Sequence, residues 1–282
     1  MKSDFSHDPA TLIDEADATG ETAEIFADIR RTMNIPLLTS IWRGLADMGD
    51  GLRQTWAASK LIFESGEPER ALARVVGTVN LPIPQPLSPT QLSCVGVTAS
   101  DLVDIQNIVA AYNRSNGLNL VALAALLHSP RGERPRSAPV QPHTWSKLRP
   151  LMRQAEIQEH VWPMVRDVNQ FGAPGRDAPV ATLWRHLAHW PGFLALVYAA
   201  FVPLQVERRI DRVNEEIVAL AIREGERMAS LLPTAAHLPE PVMETIADYV
   251  STPTLVARAV TMGYAMAHWI GEARATDRSA RG

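Results

Sequence analysis

Asparagines, histidines and one glutamate–histidine pair carry the spacings that could do chemistry in this sequence. Asn113, Asn116 and Asn119 recur every three residues and form a small polar cluster, at least one member of which could face a pocket. Ser115-Asn116-Gly117 also has turn chemistry, so by its neighbours alone Asn116 reads as a residue that caps or closes a turn. His186 and His189 lie three apart on one predicted helix, a spacing that can hold a metal. No third ligand accompanies them, so no metal is assigned. Glu156 and His160, four apart, read as an exposed helical pair. The single cysteine, Cys94, excludes an internal disulfide, a CxxC redox pair and a cysteine zinc site.

The elements that must position these groups are helical. Ile25, Ile29 and Met33 repeat every four residues, and Leu102, Ile105, Val109 and Tyr112 repeat at three and four. Ile157, Val161, Met164 and Val168 form a similar stripe, as do Ile210, Val213, Ile217 and Leu220. Ser88-Pro89 reads as an N-cap followed by proline in the first turn, and Thr98 with Asp101 as a capping box. No alternating run is long enough for a strand. Prolines interrupt the helices at Leu81–Thr90 and again at Ser129–His143.

The second interruption falls near the midpoint and prompts a search for a repeat. Ile41-Trp42-Arg43-Gly44-Leu45-Ala46 recurs 142 residues later as Leu183-Trp184-Arg185-His186-Leu187-Ala188. Trp42 and Trp184, with Arg43 and Arg185, read as structural residues at equivalent contacts. The predicted fold is all-α: two pseudo-twofold-related helical repeats forming an intramolecular pseudo-dimer. Its parts are an acidic N-terminal segment (1–20), a first repeat (21–128), a Pro-rich linker (129–143) and a second repeat (144–276). A cleft between two such units is a natural place for a ligand pocket.

Composition narrows the function classes. A net charge of −4 gives no basic footprint for nucleic acid, and Arg131, Arg134 and Arg136 read as a solvated part of the linker. The longest apolar run, Phe193–Leu204, is too short for a membrane span. Nothing at the N-terminus reads as a signal peptide, so a cytoplasmic protein is expected.

Several segments, taken in order, resemble one family. Gly20–Thr32 looks like the first helix of the group I 2-haloacid dehalogenases, and Ile35-Pro36 fits the segment after it. Tyr112-Asn113-Arg114-Ser115-Asn116 resembles the family's aromatic-Asn-x-x-Asn element, and Leu187-Ala188-His189-Trp190-Pro191 its Leu-Ala-x-Trp-Pro. The resemblance spans nearly the whole chain through order and spacing rather than through any one motif.

It implies an all-helical pseudo-dimer with the active site between the repeats, hydrolysing 2-haloalkanoic acids without a cofactor. In that family an aspartate activates the water that displaces halide, because water needs a proton acceptor to attack. An asparagine positions the water or the substrate. Residue by residue, the asparagine falls on Asn116. The serine that commonly precedes the aspartate falls on Thr182, and the aspartate itself on Leu183, which cannot accept a proton. The family's aromatic wall falls on Leu37 and Ser40.

The resemblance therefore implies a diverged enzyme with catalytic Asn116 and a substrate wall of Leu37, Ser40, Thr182 and Leu183. Its partner would be a small carboxylic acid, and the chain would work alone or as a homodimer. The alternative is a non-catalytic small-molecule binder or structural pseudo-dimer. A weaker likeness to carboxymuconolactone decarboxylase-like helical proteins stands beside it, with Cys94 excluding only that group's redox branch.

Overall fold

The computed structural model describes residues 12–131 and 143–280, with side chains described as far as residue 271. Most of the expected linker, Arg134 and Arg136 included, lies outside the described residues, as does the start of the acidic N-terminal segment. The described chain is helical, and no strand occurs among the described residues. The first six helices are α1 (Gly20–Met33), α2 (Ser40–Ala46), α3 (Gly51–Glu64), α4 (Glu67–Thr78), α5 (Pro89–Cys94) and α6 (Ala99–Ala124). The second six are α7 (Trp162–Val168), α8 (Thr182–Leu187), α9 (Pro191–Val206), α10 (Arg209–Met228), α11 (Glu240–Ser251) and α12 (Arg258–Ala280). None is long and apolar enough to cross a membrane among the described residues.

Local chemistry accounts for several helix boundaries. The Ser88 hydroxyl accepts from the Gln91 N–H at 3.1 Å, and the Gln91 side chain accepts from the Ser88 N–H at 2.8 Å, so α5 begins on a closed capping box. Thr98 and Asp101 do the same for α6. α1 ends on Asn34 in the left-handed region (φ 48°), whose N–H reaches back to the Arg30 and Arg31 carbonyls. The stripe from Ile157 to Val168 is helical only in its second half. α7 begins at Trp162, with Pro163 in its first turn, where a proline costs no helical hydrogen bond.

Two hydrophobic clusters form the core, and each takes helices from both halves of the chain. One gathers Phe26, Trp42 and Ile62 with the C-terminal half of α6 (Leu118–Ala124), and with α10 and α11 through Ile217, Met228 and Ile246. The other gathers Val165, Leu183, Phe193 and Phe201 with the N-terminal half of α6 (Leu102–Tyr112) and with Met262–Ile270 of α12. α6 and α12 therefore run through both cores, packed against each other. Their approach is close. A Cβ at Gly263 of α12 would overlap the Asn113 side chain on α6, and one at Gly225 of α10 would fall 2.6 Å from the Ala124 carbonyl carbon.

Two arginines make parallel contacts. Arg43 in α2 donates to the carbonyls of Leu12 (2.8 Å) and Ile13 (2.6 Å). Arg185 in α8 donates twice to the Met152 carbonyl, at 3.0 and 2.8 Å. Each short helix thus grips a segment about thirty residues before it.

Candidate functional site

A cavity of about 620 Å³ lies where the two halves meet. Ser40, at the start of α2, and Thr182, at the start of α8, both line it. They are equivalent in the sequence repeat, so the same position of each half contributes a hydroxyl to one space. Tyr112 and Asn116, one turn apart on α6, add a phenol and an amide. Leu183 lines the cavity while only 4% exposed, with its other side in the second core cluster. Leu37 is partly buried against that same cluster and is not among the lining residues.

The three asparagines separate into three roles. Asn119 is structural: its Oδ1 accepts from the Trp42 indole at 3.0 Å and its Nδ2 donates to the Thr39 hydroxyl at 2.8 Å. Asn113 is buried against α12, with Oδ1 unpartnered among the described residues. Asn116 faces the cavity. Its amide has no hydrogen-bond partner among the described residues, leaving donors and acceptor for a guest.

On one wall, Thr39 and Tyr249 join the Asn119 network. Burial raises the Tyr249 pKa, and hydrogen bonding to Asn119 and Thr39 offsets part of that rise. On the other wall Tyr112 meets His186. The His186 Nε2 lies 2.6 Å from the Arg149 carbonyl, which can only accept, so Nε2 carries the proton. Nδ1 then offers a lone pair to the Tyr112 hydroxyl at 3.4 Å. Desolvation lowers the His186 pKa to about 4, against a smaller upward pull from the Arg149 carbonyl, and holds the imidazole neutral. Desolvation also pushes the Tyr112 phenol up to about 12, offset in part by the Thr182 hydroxyl.

His189 likewise places Nε2 2.9 Å from a backbone carbonyl, that of Pro150. The two imidazoles raised by the sequence as a metal pair are therefore each engaged by a backbone carbonyl of Arg149-Pro150. Glu156 accepts from the Arg153 N–H at 2.7 Å, closing a 3₁₀ turn.

Two charged lining residues escaped the sequence reading. Asp47, exposed at the end of α2, brings a carboxylate to the rim. Arg258, first residue of α12, brings a guanidinium whose bonds run to oxygens of Asn169 and Pro179. A signal for Arg258 existed: it is the single charge within the apolar run Leu255–Val260.

No protein-family profile and no curated protein matches the sequence, but solved structures match the whole architecture. A D-2-haloacid dehalogenase mutant in complex with D-2-CPA superposes with a TM-score of 0.70 over 93% of this chain and 95% of that one. The D-2-haloacid dehalogenase complex with L-LA gives 0.71, over 91% and 95%. The chain has the fold of the D-2-haloacid dehalogenases. A further mutant structure of a D-2-haloacid dehalogenase agrees, at 0.69 over 92% and 95%. Sequence identity to each D-2-haloacid dehalogenase is 16%, so the shared property is the fold.

Proposed function

We propose that the chain is a diverged relative of the 2-haloacid dehalogenases that takes a small carboxylic acid into the cavity between its halves. One observation carries this reading: Asn116 from the first half and Thr182-Leu183 from the second line a single cavity. Asn116 positions the acid or a water, Ser40 and Thr182 supply hydroxyls, and Leu183 forms apolar wall. No cofactor enters this reading. The repeats are taken as pseudo-twofold mates, which the parallel grips of Arg43 and Arg185 and the interlaced cores support.

Leu183 favours a second reading. A leucine cannot take a proton from water, so a chain that kept the cavity and lost the carboxylate would act as a non-catalytic binder. Halide release from both enantiomers of 2-chloropropionate separates the two, measured on the wild type and on Leu183→Asp. We expect little or no release from the wild type. Release gained by the variant supports an intact remaining site. No release from a folded variant favours the binder. Robust wild-type release sinks the role given to Leu183 and moves the base elsewhere on the lining.

A further inference from the structure

We infer that Arg258 is the anion-binding residue of this cavity, holding the carboxylate of an acid whose apolar body is larger than that of propionate. This rests on the carboxylic-acid reading above and adds to it both the anchor and the size class.

Arg258 follows a break in the backbone. α11 ends at Ser251, and Leu255 is non-helical (φ −99°, ψ −117°) before α12 begins. The side chain clamps the loop between α7 and α8. It donates to the Asn169 carbonyl at 2.8 Å, with longer contacts to Asn169 Oδ1 (3.5 Å) and the Pro179 carbonyl (3.4 Å). All three acceptors are neutral. A guanidinium carries five N–H donors, so some remain for a guest.

Arg114 shows how such a clamp looks when its charge is balanced. Its Nε donates to the Met33 and Asn34 carbonyls at 2.9 and 3.1 Å, and its Nη2 pairs with Glu69 at 2.6 Å. Arg258 has no such carboxylate among the described residues. Asp47, the acid on the cavity lining, is exposed and forms no described ion pair with it. Arg185 also bonds only a carbonyl, yet it does not line the cavity.

The absence of a counter-charge is costly. Desolvation alone lowers the Arg258 pKa to about 10, and the group stays protonated at neutral pH. An anion entering the cavity restores the missing partner through the donors that the three oxygens leave open. The volume fixes the rest. About 620 Å³ lies within the range of cavities that enclose drug-sized ligands, and the lining is mainly apolar. A three-carbon acid would leave most of it empty, so the carboxylate at Arg258 carries a longer aliphatic or an aryl body.

Calorimetric titration with hexanoate, propionate and hexanamide tests this on the wild type, Arg258→Gln and Arg258→Lys. The wild type should bind hexanoate about ten- to a hundredfold more tightly than hexanamide, the range expected of a charge-assisted contact. It should also prefer hexanoate to propionate. Arg258→Gln should lose that preference for the carboxylate, and Arg258→Lys should keep part of it. Equal binding of acid and amide by the wild type overturns the inference without needing any variant. So does the absence of hexanoate binding, or unchanged hexanoate affinity in folded Arg258→Gln. The two proposals can fail apart. Arg258-dependent hexanoate binding with no halide release from either protein removes the enzyme and keeps the anchor. Halide release by Leu183→Asp that is indifferent to Arg258 does the reverse.

Discussion

Replacing His186 with glutamine should flatten the pH dependence of stability between neutral and mildly acid conditions. In the native protein the imidazole is buried and neutral, with a pKa lowered from 6.5 to about 4. The unfolded chain regains the ordinary value. From about pH 6.5 down to about pH 4, the unfolded state therefore binds a proton that the folded state refuses. The stabilisation is complete above the upper limit and is lost as the pH falls through this window. At about 1.4 kcal/mol per pH unit, the whole effect is about 3 kcal/mol, with about 2 kcal/mol gone by about pH 5. Asp28 acts lower. It is held at about 2 by Lys60 and Trp56, so its contribution disappears only below the ordinary carboxylate range. Glutamine at position 186 can still donate to the Arg149 carbonyl but does not titrate. Urea unfolding at neutral pH and at about pH 5 would report the difference. Parallel losses in the wild type and in His186→Gln would refute a desolvated neutral imidazole, and with it the donor direction assigned to Tyr112.

Two further substitutions probe the frame around the cavity. Gly225→Ala would set a methyl group 2.5 Å from the Ala124 side chain and 2.6 Å from its carbonyl carbon. α10 and α6 must then separate, at a cost of about 1–3 kcal/mol, read as a lower urea midpoint with an unchanged slope. Arg208→Gly should stabilise, because Arg208 holds a left-handed φ of 56° that glycine adopts without strain. The substitution removes only an exposed ion pair of little worth, between Arg208 and Asp211 at 3.3 Å. Calorimetry should show the melting temperature rising by about 2 °C, and a fall would mean that this pair outweighs the backbone term.

The helices were legible in the sequence where an apolar stripe coincided with a start signal. The stripe from Leu102 and the Thr98–Asp101 box together define α6. The stripe from Ile157 had no such signal at its head, while Pro163 marked the true start of α7. The repeat at Ile41–Ala46 and Leu183–Ala188 did correspond to two short helices, and it placed Ser40 and Thr182 as equivalents. Asn116 stood out by resemblance, but spacing alone could not separate it from Asn113 and Asn119, whose roles follow from what lies across from each. Arg258 and Asp47 were harder. Neither belongs to a motif, and their meaning comes from a loop, a kink and a cavity rim that only tertiary packing creates.

The interlaced cores bear on how the chain must come into being. The N-terminal half of α6 buries Ile105, Val109 and Tyr112 in a core shared with α7, α8, α9 and α12, all of which follow it in the chain. During synthesis, that half of α6 leaves the ribosome with its apolar face uncovered. It stays so until α12 has emerged as well. The C-terminal half waits for α10 and α11. A nascent chain of this design has no finished first half to set aside, and it exposes adhesive surface for most of its translation.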